Sequence, residues 1–329
     1  MKIRFRDVEL ADREVLERYL RQREALIVEH SFNTLFAWQQ AHHYQWAVWQ
    51  DWLVLKTTYR GVTSFLPPVG PIIGYERPLA ALGEYAAAEG LPCVFSEVTE
   101  GERALIGAVC PGRFRACADR NAANYIYSVE KLTALSGKKY HGQKNLLNNF
   151  CRSYPGHRFL LLESGLLDGC REALDRWCMQ KAGSDLPTLR QESAAIRRMF
   201  DNWDDLPLAG CCIMLNDRVE AFAIGERLNE HTAAILIEKA NSEIKGLYSA
   251  INRMFLAACW QDCELVNRAE DLGLANLRRT KMGYLPLWLE MKYVLRPICQ
   301  KRVVAVPVAA VDQAAEAVEA VDEESGCDG

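Results

Sequence analysis

Residues 208–239 read LAGCCIMLNDRVEAFAIGERLNEHTAAILIEK, and this stretch decides the fold of the second half of the chain. It contains three apolar runs of strand length, at residues 208–215, 219–228 and 232–239. The turn dipeptides Asn216-Asp217 and Asn229-Glu230 separate the runs. Apolar runs of this length joined by short turns predict a three-strand antiparallel meander.

Helices and strands are predicted on both sides of this meander from apolar periodicity. Before it we predict a strand at 157–163 and helices near 167–178 and 190–203. After it we predict a helix from 247, a strand at 264–267, a helix at 274–282 and a final strand at 284–295. The second half therefore combines one meander with a helix, strand, helix, strand series.

The first half repeats the same order of elements; its third strand is predicted at 62–66, ending at Pro67-Pro68, and its last strand at 114–118. The hairpin turns at Asp51 and Asp217 lie 166 residues apart, and the helix starts at Pro78 and Gly246 lie 168 apart. We predict an α+β (mixed α/β) protein of two tandem domains, residues 1–142 and 143–297. Each domain has a mixed, mostly antiparallel sheet flanked by helices. A cleft between two such domains is a usual place for a ligand.

The overall composition indicates a protein with ordinary cores and an acidic end. The chain has 329 residues and a net charge of −4, but residues 303–329 hold seven acids and neither Lys nor Arg. We predict that residues 298–329 form a disordered tail. The first residues lack a secretory h-region and no apolar run approaches ~20 residues, so we expect a cytoplasmic protein without a transmembrane segment. The 12 Cys include no CxxC pair, which favours reduced thiols and no metal site.

A basic connector joins the two halves. No acidic residue occurs between Glu130 and Glu163, whereas the same stretch holds six Lys and Arg. Such a run is suited to phosphate groups, either of tRNA or of an anionic lipid headgroup; a solvated positive face without a partner is the alternative. The predicted phosphate- or tRNA-binding residues are Lys138, Lys139, Lys144, Asn145, Arg152 and Gly246.

The element order of the second half resembles that of the GNAT N-acyltransferases. Residues 276–284 are similar to the acetyltransferase segment that ends in an aromatic residue after Lys-x-Gly. The loop before Gly246 stands where those enzymes bind the coenzyme A pyrophosphate, at a helix N-terminus that favours anions. However, Glu243 and Tyr248 depart from the family pattern by charge and by bulk, which disfavours coenzyme A in this half.

Four further blocks resemble a bacterial family of uncharacterised proteins that is similar to the C-terminal catalytic domain of phosphatidylglycerol lysyltransferase. They cover residues 124–132, 135–141, 144–150 and 267–281. The resemblance implies a tandem GNAT-like fold. It also implies transfer of an aminoacyl group from a charged tRNA to an amine or hydroxyl acceptor. Gln143 replaces an expected Lys, and the membrane region of the lysyltransferases is absent, which weakens the case for a lipid acceptor.

The candidate site residues lie mostly at the end of the short strand near residue 267. Asp271 and Glu270 are the predicted catalytic residues, because either could bind an α-amino group or accept a proton; an acid favoured by a helix dipole is the alternative for Asp271. We nominate no general base. The predicted substrate-binding residues are Lys239, Asn241, Asn267, Arg268, Arg278 and Lys281.

Three functions remain open from the sequence. The first is an aminoacyl- or acyltransferase whose donor is aminoacyl-tRNA or an unknown compound, with a small molecule or a lipid headgroup as acceptor. The second is a coenzyme A-dependent N-acetyltransferase, and the third is a non-catalytic binding protein on the same fold.

Overall fold

The computed structural model describes residues 2–24, 26–181 and 186–298. Residues 1–297 belong to one compact unit and residues 298–329 to a second. Only Ile298 of the second unit is described, so the predicted disordered tail lies outside the described residues. No helix in the described part of the chain combines the length and the apolar character needed to cross a membrane.

The first half contains six strands and six of the α-helices described here. The strands are β1 (Arg6–Asp7), β2 (Gln45–Trp49), β3 (Trp52–Tyr59), β4 (Val62–Val69), β5 (Phe95–Val98) and β6 (Phe114–Ser128). The helices are α1 (Arg13–Leu20), α2 (Phe32–Ala37), α3 (Gln39–His42), α4 (Glu76–Ala88), α5 (Glu100–Val109) and α6 (Val129–Ala134).

The second half begins with the helix in the middle of the basic connector, α7 (His141–Ser153), and repeats the strand order. Its strands are β7 (Arg158–Leu161), β8 (Ala209–Leu215), β9 (Arg218–Arg227), β10 (Thr232–Ala240), β11 (Leu265–Asn267) and β12 (Trp288–Pro297). Its other helices are α8 (Leu167–Gln180), α9 (Leu186–Asp201), α10 (Leu247–Cys259) and α11 (Ala275–Gly283).

The predicted meander of the second half is confirmed. Strands β8, β9 and β10 pair antiparallel, and Asn216 and Asp217 between β8 and β9 both have positive φ. Two left-handed residues in a two-residue turn match the right-handed twist of the flanking strands, and Asn and Asp tolerate that conformation. One face of the meander packs on α10 and the opposite face on α8 and α9, which explains why its three strands are almost continuously apolar.

All twelve strands of the described residues form one sheet, in the order β1-β2-β3-β4-β5-β12-β6-β11-β10-β9-β8-β7. The last strand of each half lies beside the fifth strand of the other half. Thus β12 pairs antiparallel with β5, β6 pairs antiparallel with β11, and β12 and β6 pair with each other. The halves therefore exchange their final strands. The described sheet runs through both halves without a break. The domain boundary between residues 142 and 143 therefore stays a prediction.

Three elements differ from the sequence-based expectation. Strand β4 continues through Pro67 and Pro68, where we expected it to end; a register shift against β3 between Leu53 and Leu55 accommodates prolines that cannot donate to the ladder. Strand β6 has 15 residues where a strand at 114–118 was expected. Residues of the basic connector form helix α7, which packs on α10.

Candidate active site

A buried group of charged side chains occupies the junction where the halves exchange strands. Lys292 of β12 is 3% exposed, and its Nζ lies 2.7 Å from Glu29 Oε1 and 2.7 Å from Glu97 Oε2. Glu29 lies in a 3-10 helix before α2, Glu97 on β5 and Glu270 in the loop after β11. We call Glu29, Glu97, Glu270 and Lys292 the central acidic cluster.

The backbone is irregular at three of the four elements that supply this cluster. Glu97 has φ of 54°, and Ala269, next to Glu270, has φ of 52°. The register of β12 against β6 shifts between Glu290 and Lys292. Positive φ is uncommon for residues other than glycine, and a bulge redirects the side chains of its strand. Such irregularities concentrate at functional sites, because packing must compensate for their strain.

The electrostatics of the cluster leave one carboxylate titrating near neutrality. Burial raises the pKa of Glu29 to about 7; the Lys292 ammonium opposes that shift, and the Glu97 and Glu270 carboxylates add to it. The same carboxylates raise the pKa of Lys292, outweighing the effect of its burial. Oε2 of Glu29 and Oε2 of Glu270 are buried and have no hydrogen-bond partner among the described residues. The cluster can therefore accept a proton or hold a further cation.

A second charged pair lies beside the cluster, where β10 and β11 diverge. Arg268 donates to both oxygens of Glu238, at 3.4 and 3.1 Å, and lies 4.5 Å from the ring centroid of Tyr284. Lys281 of α11 donates to the backbone oxygens of Arg268 and Glu270. Burial lowers the pKa of Lys281 to about 8, against the opposing effect of Glu270. The fold thus brings together one predicted catalytic residue, Glu270, and two predicted substrate-binding residues, Arg268 and Lys281.

Asp271 is fully buried and its carboxylate is saturated with donors. Oδ2 accepts from Tyr125 at 2.5 Å and from Arg278 at 2.8 Å. Arg120 also donates to Oδ2, and the Gly273 backbone N–H donates to Oδ1. Burial alone would raise the pKa of Asp271, but these hydrogen bonds outweigh it and hold the pKa below its ordinary value. A carboxylate in this state is a weak base, so the geometry favours a positioning role for Asp271 and Arg278 over the catalytic role predicted for Asp271.

Asn267 is also committed to structure. Its Nδ2 donates to Leu26 O and to Asn124 Oδ1, each at 2.6 Å, and its Oδ1 accepts from Ala269 N at 2.6 Å. Both amide hydrogens are used, and no side-chain surface is exposed. Asn267 therefore positions the loop after β11 and joins it to the first half, whereas we had predicted contact with substrate.

Lys239 and Asn241 line a separate crevice beside α8. Lys239 Nζ lies 2.7 Å from Glu192 and 3.5 Å from the ring centroid of Trp177, and Asn241 donates to Glu220 at 3.0 Å. Adjacent strand residues point to opposite faces, so Lys239 faces α8 while its neighbour Glu238 faces Arg268. The crevice has a volume of about 10 Å³, which is room for about one water.

The residues predicted to bind phosphate divide into two groups. Five are exposed on α7 and the 3-10 turn before it, namely Lys138, Lys139, Lys144, Asn145 and Arg152. Gly246 differs, because it caps α10 with φ of 88° and packs on α7, where a Cβ would overlap the carbonyl oxygen of Leu146. The helix end expected to hold a pyrophosphate is thus covered by α7.

Sequence reasoning missed Glu29, Glu97, Glu238 and Lys292. Lys292 did carry a signal, since it stands with Glu290 in the otherwise apolar strand segment WLEMKYVL, and a charge inside a buried strand needs a partner. Glu29 and Glu97 carried no comparable signal, because both stand in short polar segments whose proximity depends on the strand exchange.

Comparison with known proteins identifies the family. The family described as phosphatidylglycerol lysyltransferase, C-terminal, matches residues 21–296. The chain belongs to this family. Membership in the phosphatidylglycerol lysyltransferase C-terminal family confirms the resemblance inferred from the sequence and the prediction of an acyltransferase-type protein.

Solved structures confirm the predicted tandem GNAT-like α+β fold. A conserved protein of unknown function from Bacteroides thetaiotaomicron VPI-5482 is 29% identical with a TM-score of 0.85, covering 90% of this chain and 100% of that one. L-PGS from Bacillus licheniformis is 15% identical with a TM-score of 0.62, covering 93% and 96%. An uncharacterised protein of Mycoplasmoides gallisepticum (strain R(low / passage 15 / clone 2)) is 23% identical over 180 residues, which are 54% of this chain and 58% of that relative's length.

Proposed function

We propose that this protein transfers an aminoacyl group from a charged tRNA to an amine or hydroxyl acceptor at the central acidic cluster. The family name describes transfer of a lysyl group, which is an aminoacyl group with two amines. The site favours the same class of donor, because it is rich in carboxylates at the junction of the two halves.

The observation that carries the proposal is the pair of buried carboxylate oxygens without partners, on Glu29 and Glu270. Two carboxylates contact the ammonium of Lys292, and the charge of Glu270 acts on it as well, so the cluster has an excess of negative charge. An unpaired buried charge is costly, and a substrate cation relieves that cost. The α-ammonium of an aminoacyl group is such a cation, and it would bind with the ester carbonyl nearby.

Glu29 has the properties of a proton acceptor for the acceptor nucleophile. The acceptor amine or hydroxyl gives its proton to Glu29 Oε2 and its heteroatom forms a bond to the ester carbonyl carbon. The bond between that carbon and the ribose oxygen of the tRNA then breaks, and the ribose oxygen takes up the proton. A base with a pKa of about 7 is matched to this task near neutral pH.

The exposed cations of α7 and its preceding turn supply a surface for the tRNA backbone. Lys138, Lys139 and Lys144 are exposed, and Gln143 of the same helix donates to Gly283 O at the end of α11. Because Lys281 of α11 reaches the loop that carries Glu270, α7 stands next to the elements that form the site. Phosphate binding there would be weakened by salt.

Coenzyme A is a poorer donor for the second half. Its pyrophosphate would need the N-terminus of α10, and Gly246 at that position is packed against Leu146 of α7. The hydroxyl of Tyr248 in α10 also accepts a hydrogen bond from Trp177 of α8. The contacts of this helix end therefore favour aminoacyl-tRNA over acyl-coenzyme A.

The test is transfer of labelled amino acids from a pool of charged tRNAs to small amines, hydroxyl compounds and lipid extracts. We expect Glu29→Gln to lower the rate by roughly 100-fold or more, the usual contribution of a positioned proton acceptor. The wild-type kcat/KM should rise with pH up to about 7 and then level off, because Glu29 must be deprotonated.

The matched control is Glu220→Gln, which changes a buried glutamate 6% exposed outside the cluster. It should leave transfer unchanged. Full activity of Glu29→Gln, or consumption of acetyl-coenzyme A without any transfer from tRNA, would exclude the proposal.

A further inference from the structure

We propose that the first half of the chain holds a binding site for a nucleoside phosphate at the edge of the sheet. A cavity of about 580 Å³ is lined there by the N-terminal segment, α1 and β2, and this volume is typical of small-molecule sites. We call it the edge cavity. Cations and apolar side chains line it together, and no described residue of its lining is acidic. The lining residues that matter most are Lys2, Arg4, Arg6, Val15, Trp46 and Val48.

The extended N-terminal segment directs its cations to one side. Lys2, Arg4 and Arg6 are exposed. Ile3 between them is 6% exposed and belongs to the core, because side chains alternate along an extended chain. The pairing of Arg6 with Trp46 places the segment beside β2. At about 3.3 Å per residue, the three cations span about 13 Å, so they can contact an extended anion at several points.

Arg6 forms a flat platform in the edge cavity. Its guanidinium carbon lies 4.3 Å from the ring centroid of Trp46. Asp12 holds both groups, because its Oδ1 accepts from Arg6 at 2.7 Å and its Oδ2 accepts from Trp46 Nε1 at 2.9 Å. The indole covers one face of the guanidinium, yet the Arg6 side chain is 62% exposed. The other face is therefore available for stacking, and nucleobases stack on guanidinium planes of this kind.

The positive charge of the cavity comes from Lys2 and Arg4. Asp12 neutralises Arg6, but neither Lys2 nor Arg4 forms an ion pair within residues 2–24, 26–181 and 186–298. Lys and Arg bind phosphate oxygens through charge-assisted hydrogen bonds. Val15 is half-buried and Val48 is 41% exposed, so both offer apolar surface to a base or a ribose. A stacking plane, two available cations and apolar walls together match a nucleoside phosphate.

Other anions use only part of this arrangement. Inorganic phosphate or polyphosphate would leave the guanidinium plane and the two valines without contacts. A fatty acid needs an apolar enclosure for its chain, whereas the edge cavity is open on one side and carries three cations. Strand β2 lies three strands from β5, which is about 14 Å. The ligand therefore does not contact the central acidic cluster, and its binding is separate from the proposed aminoacyl transfer.

The test is isothermal titration calorimetry of the full-length protein with ATP, ADP, AMP and inorganic tripolyphosphate. We expect ATP to bind, and tripolyphosphate to bind roughly fivefold or more weakly, because it lacks a base to stack. Lys2→Gln combined with Arg4→Gln should lower the affinity for ATP roughly tenfold or more, because two phosphate-binding cations are lost. The matched control combines Lys138→Gln and Lys144→Gln, which removes the same charge from the exposed basic connector and should leave the affinity unchanged.

Arg6→Lys separates stacking from charge. Lys keeps a positive charge beside Asp12 but lacks the guanidinium plane. We expect the affinity of this variant for ATP to fall roughly fivefold or more, while its affinity for tripolyphosphate stays the same. The melting temperature of the variant shows whether its fold is intact.

Four outcomes would overturn the proposal. The first is no binding of ATP at millimolar concentration. The second is an equal loss of ATP affinity in the control variant of the basic connector. The third is an Arg6→Lys variant with the wild-type melting temperature that binds ATP as well as the wild type, or loses ATP and tripolyphosphate equally. The fourth is binding of a short single-stranded RNA without binding of ATP, which indicates a surface for an RNA chain.

Discussion

The side chain of Glu226 forms hydrogen bonds between the two halves. It lies on β9 in the second half, is 4% exposed, and accepts hydrogen bonds from Ser31 Oγ at 2.6 Å and Asn33 Nδ2 at 2.7 Å in the first half. Burial raises the pKa of Glu226 to about 7, although both hydrogen bonds act in the opposite direction. The ionised form of Glu226 therefore lowers the stability of the folded protein at neutral pH, even though its hydrogen bonds join the two halves.

This carboxylate should make the protein more stable in mild acid. The folded pKa of about 7 lies above the ordinary value of 4.5, so the native state binds the proton more tightly and stability is lost as pH rises from about 5 to 8. Glu226→Gln should reduce this dependence by roughly 1–3 kcal/mol. Glu29 has a shift in the same direction, so the dependence is reduced and not abolished.

Urea unfolding at pH 5 and pH 8 measures the effect, with the exposed Glu264→Gln as control. An unchanged pH dependence in Glu226→Gln would show that this carboxylate does not titrate on unfolding.

At the scale of elements, the contact between α7 and α10 fixes what the start of α10 can bind. Gly246 has φ of 88° and its Cα faces the carbonyl of Leu146 and the side chain of Phe150. Gly246→Ala should lower the free energy of unfolding by about 2 kcal/mol or more, from left-handed strain and overlap together.

Gly107→Ala is the matched control, because Gly107 lies in α5 and a Cβ there meets no atom within 4 Å. It should stabilise the protein by roughly 0.5–1 kcal/mol. Equal effects of the two substitutions in chemical denaturation would mean that α7 does not cover the start of α10.

The elements themselves were largely predictable from the sequence. Apolar runs between turn residues gave β8, β9 and β10, and helical spacing gave α8 and α10, because these patterns reflect burial of a local face. The extent of β6 was missed, because the polar residues Asp119, Arg120 and Asn121 interrupt its apolar pattern, and its continuation to Ser128 lies between β12 and β11 only in the folded chain.

At the scale of the whole molecule, the exchange of β6 and β12 makes the halves interdependent. β12 lies between β5 and β6, and β6 lies between β12 and β11. We therefore expect residues 1–297 to unfold in one transition, with a ratio of calorimetric to van't Hoff enthalpy of about 1. Differential scanning calorimetry measures this ratio, and two separate transitions would contradict a shared sheet.

The strand exchange also explains which part of the site escaped prediction. Arg268, Glu270 and Lys281 are close in sequence and were recognised through one block of the chain. Glu29, Glu97 and Lys292 come from segments that are far apart in sequence, and β12 brings them together. Strand pairings of such separation leave no local pattern in the sequence, so only the three-dimensional structure assembles the central acidic cluster.

The most direct test is a crystal structure of the protein with an amide-linked aminoacyl adenosine, which imitates the charged end of tRNA without reacting. We predict that its α-ammonium lies about 3 Å from Oε2 of Glu270, with its carbonyl carbon within the junction of the two halves and near Glu29. Density for the aminoacyl group in the crevice of Lys239 and Asn241, or on the outer surface with the central acidic cluster unoccupied, would contradict the account.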